Sequence, residues 1–284
     1  MWPLAARLIN QRDSGKRTLA YRWRLPLWLL VGVAWAVTLL AIVTRHTEWG
    51  DHHYLLKASG LPIVSALGLF LASWQLMILA MMGPSLALLL HQMSDAHEPA
   101  RAPGSLAVFL MFLVGYDLIW TAFGCAAFFG DALLHKVVET WSWLGIHDAI
   151  IATGLLALAG AYQFTPRKTR FVMACHEEPR ASSLAQRADM NRLDTAGRAG
   201  ARTGFIHLGS CWALMLTMFG LGMGSLVWMA ALTGVMVAEQ LGGPRASALR
   251  WSVGVILCAL AILTLALPAT LPDRAGLAGQ PFFW

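Results

Sequence analysis

The chain has 284 residues, of which 57% are hydrophobic and only 13% are charged. Soluble domains carry about 25% charged residues, so this composition excludes an ordinary water-soluble domain. Together with several apolar runs of about 20 residues, it predicts a polytopic helical membrane protein. The net charge of +6 comes from basic residues that flank the apolar runs. That placement is typical of cytoplasmic loops, so the predicted partner is the lipid bilayer, with no nucleic acid.

The apolar pattern predicts an all-α fold with about seven transmembrane helices. In chain order, the predicted spans are 25–44, 61–90, 105–129, 145–164, 204–222, 224–240 and 251–271. Residues 1–24 are predicted to be a basic cytoplasmic N-terminal segment, and residues 25–271 a single helical transmembrane domain. A C-terminal tail follows at 272–284. The first apolar run is too long for the core of a signal peptide, so it predicts a retained first span.

The second predicted span contains proline within its apolar run. Pro84 follows Gly83 near the C-terminal end of the span, and Pro62 stands at its start. Because proline removes a backbone donor, the span is predicted to be tilted, or kinked at Pro84.

The apolar segment 204–240 is too long for one straight crossing. A helix of 37 residues extends about 55 Å, against an apolar bilayer core of ~30 Å. Gly220, Gly222 and Gly224 lie in its middle and predict two short spans joined by a turn. Alternatively, Gly220 and Gly224 form a close-packing face of one helix, which leaves six spans.

The distribution of basic residues favours seven spans. With a cytoplasmic N-terminus, seven spans place 17 of the 21 Lys and Arg residues on the cytoplasmic side, whereas six spans place fewer there. The largest cytoplasmic segment is then a polar loop at 165–203. Within it, Ala181 to Arg198 is either a short amphipathic helix on the membrane surface or a solvated linker.

Cysteine and histidine residues occur together at this predicted cytoplasmic boundary. Cys175 and His176 are adjacent in the polar loop, and His207 and Cys211 stand four apart at the start of the fifth span. The spacing of four places His207 and Cys211 on one side of a helix. Thiolate and imidazole suit copper, zinc or iron, and two of each complete a tetrahedral set. The alternative is an interfacial His207 and a small core residue at Cys211.

Three further features are candidate accessories of such a site. Glu239, at the inner end of the sixth span, either orients a ligand histidine or faces headgroup water. Met81 and Met82 on the second span are either Cu(I) ligands along a path or packing residues. Asp117 lies near the middle of the third span, where a charge is costly. It is therefore expected to face the bundle interior or a cavity, as a proton or cation group or as a neutral carboxyl bonded to the backbone.

A weaker alternative site lies in the run "RHTEWGDHHY" on the predicted outer side. Its candidate ligands are His46, Asp51, His52 and His53. Flexible loops rich in histidine also bind metals adventitiously, so this run is the secondary hypothesis.

Three runs of sequence resemble an uncharacterised bacterial family. They are "SWQLMILAMMGPS", "AGAYQFTPRK" and "GSCWALMLTMFGLGMGSLVWMAAL", the last followed by Glu239. The family is a domain of unknown function described as predicted metal-binding integral membrane proteins, and the resemblance covers about residues 61–270. It implies a multi-pass protein of the bacterial inner (cytoplasmic) membrane.

The same resemblance identifies the chain as a divergent member. The family has two cysteines four apart after the Tyr-Gln motif, and here Phe171 takes the first position while Cys175 keeps the second. His207 and Ser210 stand where further cysteines are expected, and Cys211 remains. Asp117 occupies a position that is usually apolar. The resemblance therefore implies a metal site that is either remodelled toward histidine or degraded.

The combined prediction is a protein that handles a soft transition metal ion, copper or zinc, by binding, transport or delivery. The metal would lie at the cytoplasmic helix ends, and nothing in the chain indicates a hydrolase. Two alternatives stay open: a metal- or haem-dependent membrane redox subunit, and a non-catalytic assembly subunit whose metal site is degraded. The expected protein partner is a metallochaperone or a membrane complex.

Overall fold

The computed structural model describes residues 25–44, 62–95, 106–141, 149–189, 193–221, 225–242 and 246–266. Within these ranges the chain forms eight α-helices and no β-strand, which confirms the all-α prediction there. The helices are α1 (Leu25–Val43), α2 (Ile63–Asp95), α3 (Leu106–Thr140), α4 (Ala149–Gln163), α5 (Pro166–Asp189), α6 (Leu193–Leu221), α7 (Leu226–Leu241) and α8 (Ala246–Ala266). Among the described residues, α1, α2, α3 and α8 are long and apolar enough to cross a membrane, and α4 and α7 are shorter apolar helices. The prediction of seven spans is therefore met only in part.

The segment 165–203 differs most from its prediction. It is not a loop, because α5 covers Pro166–Asp189 and α6 begins at Leu193. Of the segment Ala181–Arg198, residues 181–189 belong to the end of α5 and residues 193–198 to the start of α6, and residues 190–192 lie outside the described residues. Hydropathy missed α5 and the first turns of α6 because both are polar, although α5 buries Lys168, Val172 and Cys175 within the bundle.

The other long apolar segments agree more closely with the sequence. The segment 204–240 contains two helices, since α6 ends at Leu221 and α7 begins at Leu226. The third helix continues to Thr140, beyond its predicted end at 129. Its last turns contain charged residues. These lower the local hydropathy, which set the predicted end, but they do not interrupt the hydrogen bonding of the helix.

Helix α2 continues through Pro84 because α1 supplies the missing contact. Proline has no N–H, so the carbonyl of Ala80, four residues earlier, loses its helical partner. The indole N–H of Trp35 on α1 donates to that carbonyl at 3.0 Å. The side chain of Val31 fills the space beside Gly83. Docking of α1 therefore satisfies the backbone group that Pro84 releases.

Helices α3 and α6 make the most extensive contact in the described bundle. A Cβ atom at Gly200 would overlap the carbonyl oxygen of Phe112, and one at Gly115 would overlap the carbonyl oxygen of Gly197. Glycine at both positions allows the two backbones to approach closely. The close-packing glycines therefore lie in the first half of α6; of the predicted pair, Gly224 is outside the described residues.

The interior of the bundle is filled by large aromatic and sulfur-containing side chains. The largest buried apolar side chains are Phe70, Trp74, Met81, Met82, Trp120, Phe128, Leu156, Leu214, Met215, Met218 and Met229. The indole N–H of Trp74 donates to the carbonyl of Trp120 at 3.0 Å, which joins α2 to α3. The same core therefore holds α2, α3, α6 and α7 in fixed positions around the site described next.

Candidate metal centre

A small cavity lies where α2, α5, α6 and α7 meet, with room for about one water molecule or metal ion. Its lining residues are Ser85, Leu88, Leu89, Cys175, His207, Gln240 and Leu241. Cys175 belongs to α5 and His207 to α6, so the fold brings these two predicted ligands to one space.

His207 is buried and held by Tyr116 of α3. The Tyr116 hydroxyl lies 3.1 Å from Nδ1 of His207, and the two rings meet edge-on at 90°. When Nδ1 carries the proton and donates to Tyr116, Nε2 carries the lone pair. His207 is also one of the residues that line the cavity. A ring that is oriented through one nitrogen by a hydrogen bond is typical of metal-binding histidine.

Cys211 is also buried and has a second sulfur beside it. Its Sγ lies 3.8 Å from Sδ of Met82 on α2 and donates to the His207 carbonyl at 3.0 Å. Cys175 lies within electrostatic range of Cys211. Thioether and thiolate sulfur are soft ligands of the kind that suits Cu(I). Met81 is equally buried and belongs to the hydrophobic core, as expected for a packing residue.

His176 makes its contacts with the end of α7. Its Nε2 donates to the backbone carbonyl of Glu239 at 3.1 Å. Its ring lies against Gly242, where the backbone φ of 72° favours glycine and an added Cβ would overlap the ring. Adjacent residues on a helix project about 100° apart. His176 therefore points away from the cavity that Cys175 lines.

A buried ion pair lies beside the thiols and was missed by the sequence analysis. The ammonium of Lys168 on α5 is 2.6 Å from a carboxylate oxygen of Glu239 on α7, and it also donates to the carbonyl of Ser210 on α6. Both side chains are buried, and the second oxygen of Glu239 has no partner among the described residues. Lys168 is close enough to Cys211 to act on it electrostatically. The pair therefore joins three of the four helices around the cavity.

Two expectations for Glu239 are thereby corrected. It does not face headgroup water, because its side chain is buried, and its carboxylate binds Lys168 instead of a histidine. Only its backbone carbonyl contacts His176. Lys168 lies two helical turns before Cys175, so the two side chains share one face of α5. This relation could not be used while the segment was interpreted as a loop.

The expectation that Asp117 faces the bundle interior is wrong. Its side chain is exposed on α3. One carboxylate oxygen accepts hydrogen bonds from Nε2 of Gln75 at 3.2 Å and from the hydroxyl of Thr121 at 3.4 Å. The inward face of α3 is instead occupied by Tyr116 and Trp120, and the helical period places Asp117 on the outside.

The residues that replace expected cysteines are engaged in other contacts. The ring of Phe171 lies over Gly209, where an added Cβ would overlap it, and contacts the ring of Phe205. The hydroxyl of Ser210 donates to the His207 carbonyl at 2.7 Å. Phe171 is therefore a packing residue at the first cysteine position, and the Ser210 hydroxyl is used in a hydrogen bond within its own helix.

Within the described ranges, no group of three or more His, Cys, Asp or Glu side chains is arranged to hold a metal ion. The soft donors at the cavity are Cys175 and His207. Cys211 contacts the backbone carbonyl of His207, and Met82 lies beside Cys211. The alternative outer set, His46, Asp51, His52 and His53, lies outside the described residues.

No curated protein and no solved structure matches the chain. The model of the family PpoB2, described as copper chaperone, matches residues 71–264. That range is well over half of the chain and contains every residue that lines the cavity. The chain therefore belongs to this copper chaperone family, and copper handling is its general role.

Proposed function

We propose that the protein is a copper chaperone of the bacterial inner membrane that holds Cu(I) at the cavity and delivers it to a partner protein. The observation that carries the proposal is the convergence of Cys175 and His207 on a space the size of one ion. Cys211, one turn after His207 on α6, and Met82 of α2 form a second pair of sulfur donors. Zinc sites in proteins take three or four ligands, whereas thiolate and thioether donors favour Cu(I).

Charge supports Cu(I) over zinc as the cargo. Lys168 and Glu239 neutralise each other. Cys211 keeps its proton, because its Sγ donates to the His207 carbonyl, so the site gains a single negative charge when Cys175 is a thiolate. A Cu(I) ion cancels that charge, whereas Zn(II) leaves an uncompensated positive charge in buried surroundings. Burying an unpaired charge is costly.

The position of the cavity supports delivery over transport through the bundle. It is lined by the last turns of α2 and α7, through Leu88, Leu89, Gln240 and Leu241. The centre of the bundle is filled by Trp74, Trp120, Phe128 and buried methionines. With the N-terminus in the cytoplasm, the cavity end faces the cytoplasm, where a metallochaperone or a membrane complex reaches it.

Copper content and Cu(I) affinity of the purified full-length protein test this proposal. We expect copper in preference to zinc, and loss of it in Cys175→Ser and in His207→Leu, measured by competition with a chromophoric Cu(I) chelator. The matched control is Cys125→Ser, a half-buried cysteine on α3 outside the cavity. Unchanged copper in Cys175→Ser combined with Cys211→Ser contradicts the site. Release of the protein from membranes by alkaline carbonate contradicts the location.

A further inference from the structure

A polar cluster lies on the outer surface of α2 and α3. Gln75 donates from one amide nitrogen to the carboxylate of Asp117 at 3.2 Å and to the hydroxyl of Thr121 at 2.5 Å. Thr121 also donates to the same carboxylate oxygen at 3.4 Å. The three side chains therefore form one preorganised group that spans two helices.

The surroundings of this cluster are apolar. Gln75 lies at the middle of the apolar segment Ile63–Leu89, and Asp117 lies in the apolar helix Leu106–Thr140. On the same face of α3, Val114 is 58% exposed and Leu118 is 63% exposed. In the membrane location of the proposed function, on which this inference rests, the cluster faces lipid near the bilayer centre.

A carboxylate in contact with lipid is costly, and such groups pair with another polar group or line a cavity. The two bonds from Gln75 and Thr121 reach one oxygen of Asp117, and the second oxygen accepts none from the described residues. An ionised carboxylate only accepts hydrogen bonds, so the missing contact is a donor. A basic side chain supplies both the donor and the opposite charge.

We propose that the outer face of α2 and α3 around Asp117 docks a transmembrane helix of a different protein that carries Lys or Arg at mid-depth. A second copy of this chain fits less well, because two copies facing each other present one carboxylate to another. Like charges at short distance repel strongly in a medium of low dielectric constant. The docking face lies on the bundle side, apart from the copper cavity at the helix ends, so it holds a partner without covering the cargo.

The test uses the purified full-length protein in phosphatidylcholine vesicles. The probes are two synthetic leucine-rich transmembrane peptides, one with a single central Lys and one with Leu in its place, and binding is measured by energy transfer. We expect the Lys peptide to bind about tenfold more tightly, as polar contacts between membrane helices allow. Asp117→Leu is expected to remove this preference, whereas Leu118→Ala, a change to the adjacent exposed apolar residue, is expected to preserve it.

Equal binding of the two peptides, or a preference that persists in Asp117→Leu, overturns the proposal. So does a dimer of the wild-type protein that Asp117→Leu dissociates, because the occupant is then a second copy. Measurement of bound copper distinguishes a failure of the docking proposal from a failure of the proposed copper-binding function. Asp117→Leu is expected to bind copper as the wild type does, which also shows that it folds.

Discussion

Removal of the Lys168 ammonium is expected to destabilise the protein strongly. In Lys168→Met the Glu239 carboxylate stays buried and loses its 2.6 Å contact, while its other oxygen already has no partner among the described residues. At 2.6 Å and an effective dielectric constant of ~20, the attraction between the two charges is about 6 kcal/mol before desolvation is counted. Breaking a buried pair by removing one partner costs about 3–5 kcal/mol of unfolding free energy.

Glu239→Gln is expected to cost less than Lys168→Met. The ammonium keeps its bond to the Ser210 carbonyl, and the glutamine amide oxygen still accepts from it. The double variant Lys168→Met with Glu239→Gln leaves no buried charge. It is therefore expected to be more stable than Lys168→Met alone, since an uncharged pair carries a smaller desolvation penalty.

Thermal unfolding in detergent, followed by loss of the monodisperse chromatographic peak, measures this order. The expected decrease in Tm for Lys168→Met is on the order of 10 °C. The matched control is Arg198→Met, because Arg198 pairs with Asp194 at 3.7 Å with side chains that are 84% and 50% exposed. Such a surface pair contributes about 1 kcal/mol or less.

Two results refute this reasoning. If Lys168→Met unfolds at the same temperature as Arg198→Met, then the Lys168 ammonium does not balance a buried carboxylate. If the double variant is destabilised by the sum of the two single changes, then Lys168 and Glu239 act independently, and the contact in the structure does not couple them.

Three further outcomes follow from contacts around the cavity. Tyr116→Phe removes the hydroxyl that holds His207, and loss of such a partner is expected to lower Cu(I) affinity about 10- to 100-fold in chelator competition; unchanged affinity means that Tyr116 does not orient the ring. Met82→Leu conserves volume but removes the thioether beside Cys211, so it is expected to weaken Cu(I) binding and leave any Zn(II) binding unchanged. Equal losses for both metals contradict a ligand role for Met82. Gly200→Leu places a side chain against the α3 backbone, whereas Gly234→Leu meets open space. Only the first is expected to reduce the yield of monodisperse protein, and equal yields contradict the close α3–α6 contact.

The sequence alone was sufficient to predict the helical class and most of the long apolar helices. Hydropathy is a local property, so runs such as Leu25–Val43 and Ala246–Ala266 are recognisable without knowledge of their neighbours. The glycines near 222 correctly indicated a break between α6 and α7. Charge counting predicted that Cys175 and His207 lie on the same side of the membrane, and in the fold both residues line one cavity.

The tertiary structure alone decided how the donors are arranged. A polar helix such as α5 gains its buried face only by packing on other helices, so its hydropathy could not show that Lys168 is enclosed or that His176 and Cys175 point in different directions. Asp117 and Tyr116 are adjacent in sequence, yet one is exposed and the other holds His207. Sequence records which side chains are present, whereas burial, partners and direction depend on helices distant along the chain. For this protein, the glycine contact between α3 and α6 and the ion pair between α5 and α7 set the burial and the direction of the side chains around the cavity.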